Sequence, residues 1–234
     1  MCIRDRVYDD LDRPPLRAAA LTRALAPDGW RVEVLSQTPS TNAVVADRAR
    51  AGEAAGLVVV AEQQSAGRGR LDRTWTSPAR AGLTFSALVR PASPVAGWGW
   101  IPLLAGLAVI RALRSRAEVA APGAVVIGVG LNVSARRDEL PVESATSLAL
   151  EGAGSMDRDT ILRAVLRELT EVLADEQGSR IAYRARCTTV GQIVRLELPT
   201  RVVTGTAEAV DDDGRLVVDG KAYGAGDVVH LRPG

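Results

Sequence analysis

Gly67-Arg68-Gly69-Arg70, followed by Arg73 and Trp75, is the part of this chain whose residue types and spacing are best suited to chemistry. Glycine lets the backbone approach a ligand closely, so that its amides can line an anion site. Arginine adds a planar fork of donors matched to phosphate or carboxylate. Leu71 is the one apolar residue in the stretch before Trp75, so packing alone does not explain it. Its composition points to an anion-binding loop that orders over a ligand. Arg68 and Arg70 are the candidate catalytic cations. As a surface turn the alternation would be accidental.

Composition limits the other chemistries. The only histidine is His230, in the C-terminal tail, and the only lysine is Lys221, so neither a histidine triad nor a histidine-based metal site is expected. No metal-ligating cluster is expected; Asp211-Asp212-Asp213-Gly214 is better explained as a hairpin turn than as a calcium loop. A net charge of +1 over 234 residues argues against a broad nucleic-acid-binding surface. Cys2 and Cys187 form no disulfide framework, and no apolar run has membrane-spanning length, so a cytoplasmic protein is expected. Met1–Arg6 resembles nothing downstream and is set aside as a possible non-native leader.

The elements that must position the loop follow from periodicity. Arg31–Ser36 alternates as a half-buried strand, and Ser40-Thr41-Asn42 opens a helix that runs to about Ala51, with Ser40 or Thr41 as its cap. Gly56–Glu62 and Gly82–Arg90 read as buried strands on either side of the loop. Trp98–Arg116 reads as one long apolar helix, with Trp98 and Trp100 as core or interface residues. Ala124–Val133 is a further buried strand, whose Gly128 and Gly130 mark close backbone approach, and Asp159–Glu176 is an amphipathic helix. After Arg184 the texture changes to short strands with turns, a small β-barrel of the kind that leans on a neighbour.

In this order, Ser40-Thr41-Asn42, Gly67-Arg68-Gly69-Arg70 with Arg73 and Trp75, Gly128-Val129-Gly130-Leu131-Asn132 and the C-terminal Gly226-Asp227-Val228-Val229 resemble the biotin–protein ligases. The resemblance implies an α+β fold: a class II synthetase-like ligase domain with an incomplete central mixed sheet, followed by a Src-homology-3-like barrel. The implied boundaries are an N-terminal extension over 1–30, the ligase domain over 31–184 and the barrel over 185–234. The segment before Arg31 is too short for the helix-turn-helix that some relatives carry, so the single-function type is expected, with no nucleic acid or membrane as partner.

The resemblance also implies an activity. ATP and biotin are the substrates, Mg2+ accompanies ATP, and biotin passes through biotinoyl-5'-AMP to a lysine of a carboxyl-carrier protein. By resemblance, Ser40, Thr41, Asn42, Gln64, Gly67 and Arg68 bind biotin, while Arg70, Arg73, Trp75 and Asn132 serve the adenylate. The chain departs from the family pattern near residues 117–123, where a block with Lys-Trp-Pro-Asn-Asp and Lys-x-x-Gly-Ile-Leu motifs is missing. Loss of those strands would leave sheet edges open to homodimer formation. Two alternatives therefore stay open: a remnant that only binds biotin or the carrier, and a lipoate-type acyl-adenylating ligase.

Overall fold

The computed structural model describes residues 13–68, 74–92, 94–112, 116–121, 123–143, 145–198, 200–224 and 227–230. Its centre is a five-stranded mixed sheet in the order β1-β2-β5-β7-β6. The strands are β1 (Arg31–Leu35), β2 (Leu57–Ala61), β5 (Gly82–Val89), β6 (Arg116–Ala121) and β7 (Ala124–Asn132). β1 runs parallel to β2, and the remaining pairs are antiparallel. Between β2 and β5 the chain makes a small hairpin, β3 (Gly67–Arg68) with β4 (Thr74–Trp75).

The two faces of this sheet differ, and the difference creates the site. One face carries Val58, Val60, Leu83, Phe85, Ala87, Val125, Ile127 and Val129, all buried in the main core. Against it pack α1 (Ala18–Leu25), α3 (Ile101–Ala112) and α4 (Arg158–Ala174). Alternation along strands sends the intervening residues to the opposite face. Its outer part is apolar, with Leu57, Val59, Leu88 and Val126 packed on Val45 and Ala49 of α2 (Thr41–Arg50). Its inner part is not: register pairs Ser86 with Gly128 and Thr84 with Gly130, which makes a floor of small and polar groups.

Several elements differ from the sequence expectation. The long helix expected over Trp98–Arg116 is a 3-10 turn, Val95–Trp100, followed by α3, which ends at Ala112. By Arg116 the chain is already in β6, which pairs with β7 and meets the hydrogen-bonding demand of that strand's outer edge. Part of the 117–123 stretch, expected to hold only the scar of a missing block, thus contributes an edge strand, up to Ala121. The helix expected to end at Glu176 stops at Ala174, and Asp175 caps a further helix, α5 (Glu176–Arg186), through the Gly178 N–H at 2.9 Å.

The N-terminal segment is also more than an extension. Leu16, Leu21, Leu25 and Trp30 belong to the main core. Its start is tied down by two polar contacts: the Leu16 N–H donates to Glu62 at 2.7 Å, and Arg13 bonds Glu139 at 2.5 Å.

The C-terminal unit is a second five-stranded sheet, in the order β11-β10-β9-β8-β12. It comprises β8 (Ile193–Glu197), β9 (Val202–Val210), β10 (Leu216–Val218), β11 (Lys221–Tyr223) and β12 (Asp227–His230). Its own core is small, centred on Val194, Leu196, Ala207 and Val218. The turn after β9 docks on the larger domain: the Trp100 indole donates to the Asp212 carbonyl at 2.7 Å. Arg180 and Arg184 lie 5.4 and 5.0 Å from the Trp100 ring centre, cation–π distances in both cases. The approach is close enough that a Cβ on Gly99 would sit 2.3 Å from the Asp213 carbonyl oxygen.

Candidate active site

Three backbone links bring the separate motifs together. Thr38 and Gln64 form an isolated parallel bridge, Ser65 N–H donates to the Thr38 carbonyl, and Ala66 N–H donates to the Pro39 carbonyl. The start of α2 is thereby tied to the base of the Gly-Arg hairpin. Ser40 is the helix cap, its hydroxyl accepting from Ala43 N–H at 3.4 Å. Since the cap occupies that hydroxyl, Thr41 and Asn42 are the residues left to look over the sheet.

These side chains form a continuous polar chain. Gln64 Oε1 accepts from the Thr41 N–H at 2.7 Å and lies 3.1 Å from the Thr41 hydroxyl. Ser86, fully buried on β5, places its hydroxyl 2.9 Å from Thr41 Oγ1 and 2.5 Å from Asn42 Oδ1. The Asn42 amide lies flat over Gly128, where a Cβ would come within 2.4 Å of Oδ1. No larger residue fits there without moving Asn42. The sequence reading did not single out Ser86, and only the register opposite Gly128 reveals it.

Beyond Gly128 on the same face is Gly130, covered by the Trp75 ring, whose atoms lie 3.1 Å from where a Cβ would stand. Trp75 pairs with Gly67 across the hairpin, and Arg68 pairs with Thr74. The indole Nε1–H is buried and finds no acceptor among the described residues. A small pocket opens beside it, between Gln64, Ser77, Gly82 and Thr84. Arg68 is exposed at the hairpin; Gly69, Arg70 and Arg73 lie outside the described residues.

Asn132 ends β7 at the far edge of this face, opposite Gly82. Its side-chain amide donates to the Thr146 carbonyl at 3.0 Å, and its own carbonyl accepts from Leu148 N–H. Asn132 therefore holds the loop after β7 against the sheet. Behind the floor, Glu62 and Arg158 make a buried ion pair at 2.6 Å, and Arg158 also donates to the Pro14 carbonyl at 2.7 Å. No group of three or more His, Cys, Asp or Glu side chains that could hold a metal exists among the described residues.

With this geometry in hand, the relatives can be set beside it. Residues 34–132 match the biotin/lipoate A/B protein ligase family, and residues 189–231 match the biotin protein ligase C-terminal domain. The biotin–[acetyl-CoA-carboxylase] ligase of Mycobacterium tuberculosis is 40% identical, with 99% of this chain and 100% of that protein covered.

This chain belongs to the biotin protein ligase family.

The alignment to the mycobacterial protein runs over 271 positions against 234 residues here, so the relative carries sequence with no counterpart in this chain. The bifunctional ligase/repressor BirA of Escherichia coli is 29% identical, with 82% of this chain and 70% of that protein covered. Among solved structures, the Aquifex aeolicus biotin protein ligase in complex with biotin and ATP superposes with a TM-score of 0.71. At 24% identity over 86% of this chain and 99% of that one, it shares the fold. The α+β ligase architecture with its small C-terminal β domain is thus the one expected from sequence. Among the described residues no helix is long and apolar enough to cross a membrane.

Proposed function

We propose that this chain is a biotin–[carboxyl-carrier-protein] ligase that activates biotin with ATP and transfers it to a carrier lysine. One observation carries the reading: Thr41, Asn42, Gln64 and Ser86 form one hydrogen-bonded set over a glycine floor, directly beneath the base of a Gly-Arg hairpin. A cyclic urea offers two N–H donors and one carbonyl acceptor. The Thr41 hydroxyl supplies an acceptor, and the Asn42 and Gln64 amide nitrogens supply donors. Small floor residues let the Asn42 amide and the Trp75 ring approach the sheet closely.

The reaction then follows from charge. A biotin carboxylate oxygen attacks the α-phosphorus of ATP; the acyl–phosphate bond forms, the α–β bridging bond breaks, and pyrophosphate leaves. The attacking and attacked groups are both anionic, so cations must be fixed around them. Arg68 is assigned to the carboxylate, and Arg70 and Arg73 to the phosphate, because a planar fork can bridge two oxygens at once. Trp75 would leave the Gly130 floor and pack on the adenylate, and Asn132 would act on the nucleotide side through the loop it holds. In the second step the carrier lysine nitrogen attacks the acyl carbon and AMP departs, with hairpin closure keeping water from the mixed anhydride. Lys221, exposed on β11 in the C-terminal unit, has no part in either step.

Mg2+ would enter with ATP, supplying charge neutralisation on the phosphates. Such a site needs one or two carboxylates at most, the substrate phosphates supplying the other oxygens. Use of ATP and of a carboxylase carrier supports a cytoplasmic reaction. The direct test supplies labelled biotin, MgATP and the carrier domain of a biotin-dependent carboxylase. Stable incorporation that needs the carrier lysine is expected. Labelled lipoate incorporated in preference to biotin would overturn the substrate assignment.

A further inference from the structure

We infer that Ser86 is a positioning residue that sets which atoms of Thr41 and Asn42 face the substrate. The inference rests on the biotin reading and deepens it.

Protons are limiting at this point. Asn42 Oδ1 carries none, so the 2.5 Å contact with Ser86 is a donation from the Ser86 hydroxyl. The same hydroxyl lies 2.9 Å from Thr41 Oγ1, so Ser86 bridges the two residues with its one proton, nearest to Asn42 Oδ1. The Thr41 hydroxyl donates its single proton to Gln64 Oε1 at 3.1 Å, whose other lone pair accepts from the Thr41 N–H at 2.7 Å. Protons therefore run from Thr41 to Gln64 and from Ser86 to Asn42.

Two consequences follow. Thr41 Oγ1 keeps its lone pairs for a ligand N–H, because its proton points into the protein. Asn42 is held with its oxygen inward, so that Nδ2 is the atom left to donate. Both are the polarity a cyclic urea requires. Without Ser86 the Asn42 amide could invert, presenting its oxygen where a donor is needed. Ser86 is itself fully buried beneath α2 and acts through Thr41 and Asn42. Gly128 serves the same end from the facing strand, since it alone leaves room for the amide.

The test is calorimetric titration of biotin, and separately of ATP, into the full chain and its Ser86→Ala variant, with thermal melting of both. Ser86→Ala is expected to weaken biotin binding by about ten- to a hundredfold while leaving ATP affinity and the melting midpoint near wild type. In turnover, KM for biotin should rise by the same factor with kcat at saturating biotin retained. Wild-type biotin affinity in a folded Ser86→Ala protein overturns the inference, and so does an equal loss of ATP affinity. Should Ser86→Ala not fold, Ser86→Cys decides by the same criteria, because a thiol is a much weaker donor. Failure of the unmodified chain to bind biotin is a different outcome: it removes the ligase reading and this inference with it.

Discussion

Removing the Arg158 side chain is the perturbation whose cost can be worked most fully from the structure. Arg158 and Glu62 are 5% and 10% exposed, and their charged groups meet at 2.6 Å. Arg158 additionally satisfies the Pro14 and Gly82 carbonyls, while Glu62 accepts from the Leu16 N–H. Arg158→Ala would leave a buried carboxylate facing an apolar gap and would release the N-terminal segment that α1 depends on. Breaking a buried pair from one side costs about 3–5 kcal/mol. For a chain of this size ~2 °C of melting temperature accompanies each kcal/mol, giving a fall of roughly 6–10 °C. Urea denaturation followed by circular dichroism measures the free energy, and calorimetry the midpoint. The double replacement Arg158→Met with Glu62→Leu should recover most of the loss, since it removes both charges together. A single mutant destabilised by less than ~1 kcal/mol, or a double mutant worse than the single, would refute the reasoning.

Other consequences are equally open to measurement. Trp100→Ala should cost about 3–5 kcal/mol, because the ring is fully buried and links the two units; a separate early melting transition for the C-terminal unit is expected in the same scan. The Glu139 carboxyl sits below its ordinary 4.5: burial pushes it up, but hydrogen bonds from the Arg13 guanidinium and the Arg136 N–H outweigh this. A lowered carboxyl stabilises the fold above its ordinary pKa and loses that contribution as pH falls. Stability should therefore decline from about pH 5 towards pH 3, and Glu139→Gln should show a shallower decline in urea midpoint. Arg68→Ala should slow biotin-dependent adenylate formation by about a hundredfold and release adenylate faster, as read by single-turnover quench. Lys221→Ala should leave adenylation within about twofold of wild type, since an exposed barrel residue far from the chemistry is seldom costly.

Strands and caps were legible in the sequence where the signal is local. The β-branched run Leu57–Ala61 is buried along its whole length, and Ser40 caps α2 as its type suggests. The turn at Asp211–Gly214 also stands where its composition puts it. What was hidden depends on partners distant in sequence. An eight-residue helix such as α1 has little stability of its own and exists because Leu21 and Leu25 are buried by the main core. Ser86 carries no local mark; its meaning comes from standing opposite Gly128 and under Asn42. β6 is likewise specified by the open edge of β7, which an isolated Arg-Ala-Glu-Val-Ala-Ala stretch does not announce. Thr41, Asn42, Gln64, Gly67 and Trp75 were singled out from sequence and do converge on one face, whereas Asn132 turns out to spend its amide on Thr146.

Biotin-dependent exchange of labelled pyrophosphate into ATP, measured on folded protein, bears most directly on the claim that this floor and hairpin activate a carboxylate. Exchange that requires biotin and disappears in Arg68→Ala is the expected result. A folded chain that binds biotin yet supports no exchange would contradict it, and would show that arginines alone do not supply the cationic chemistry of the site.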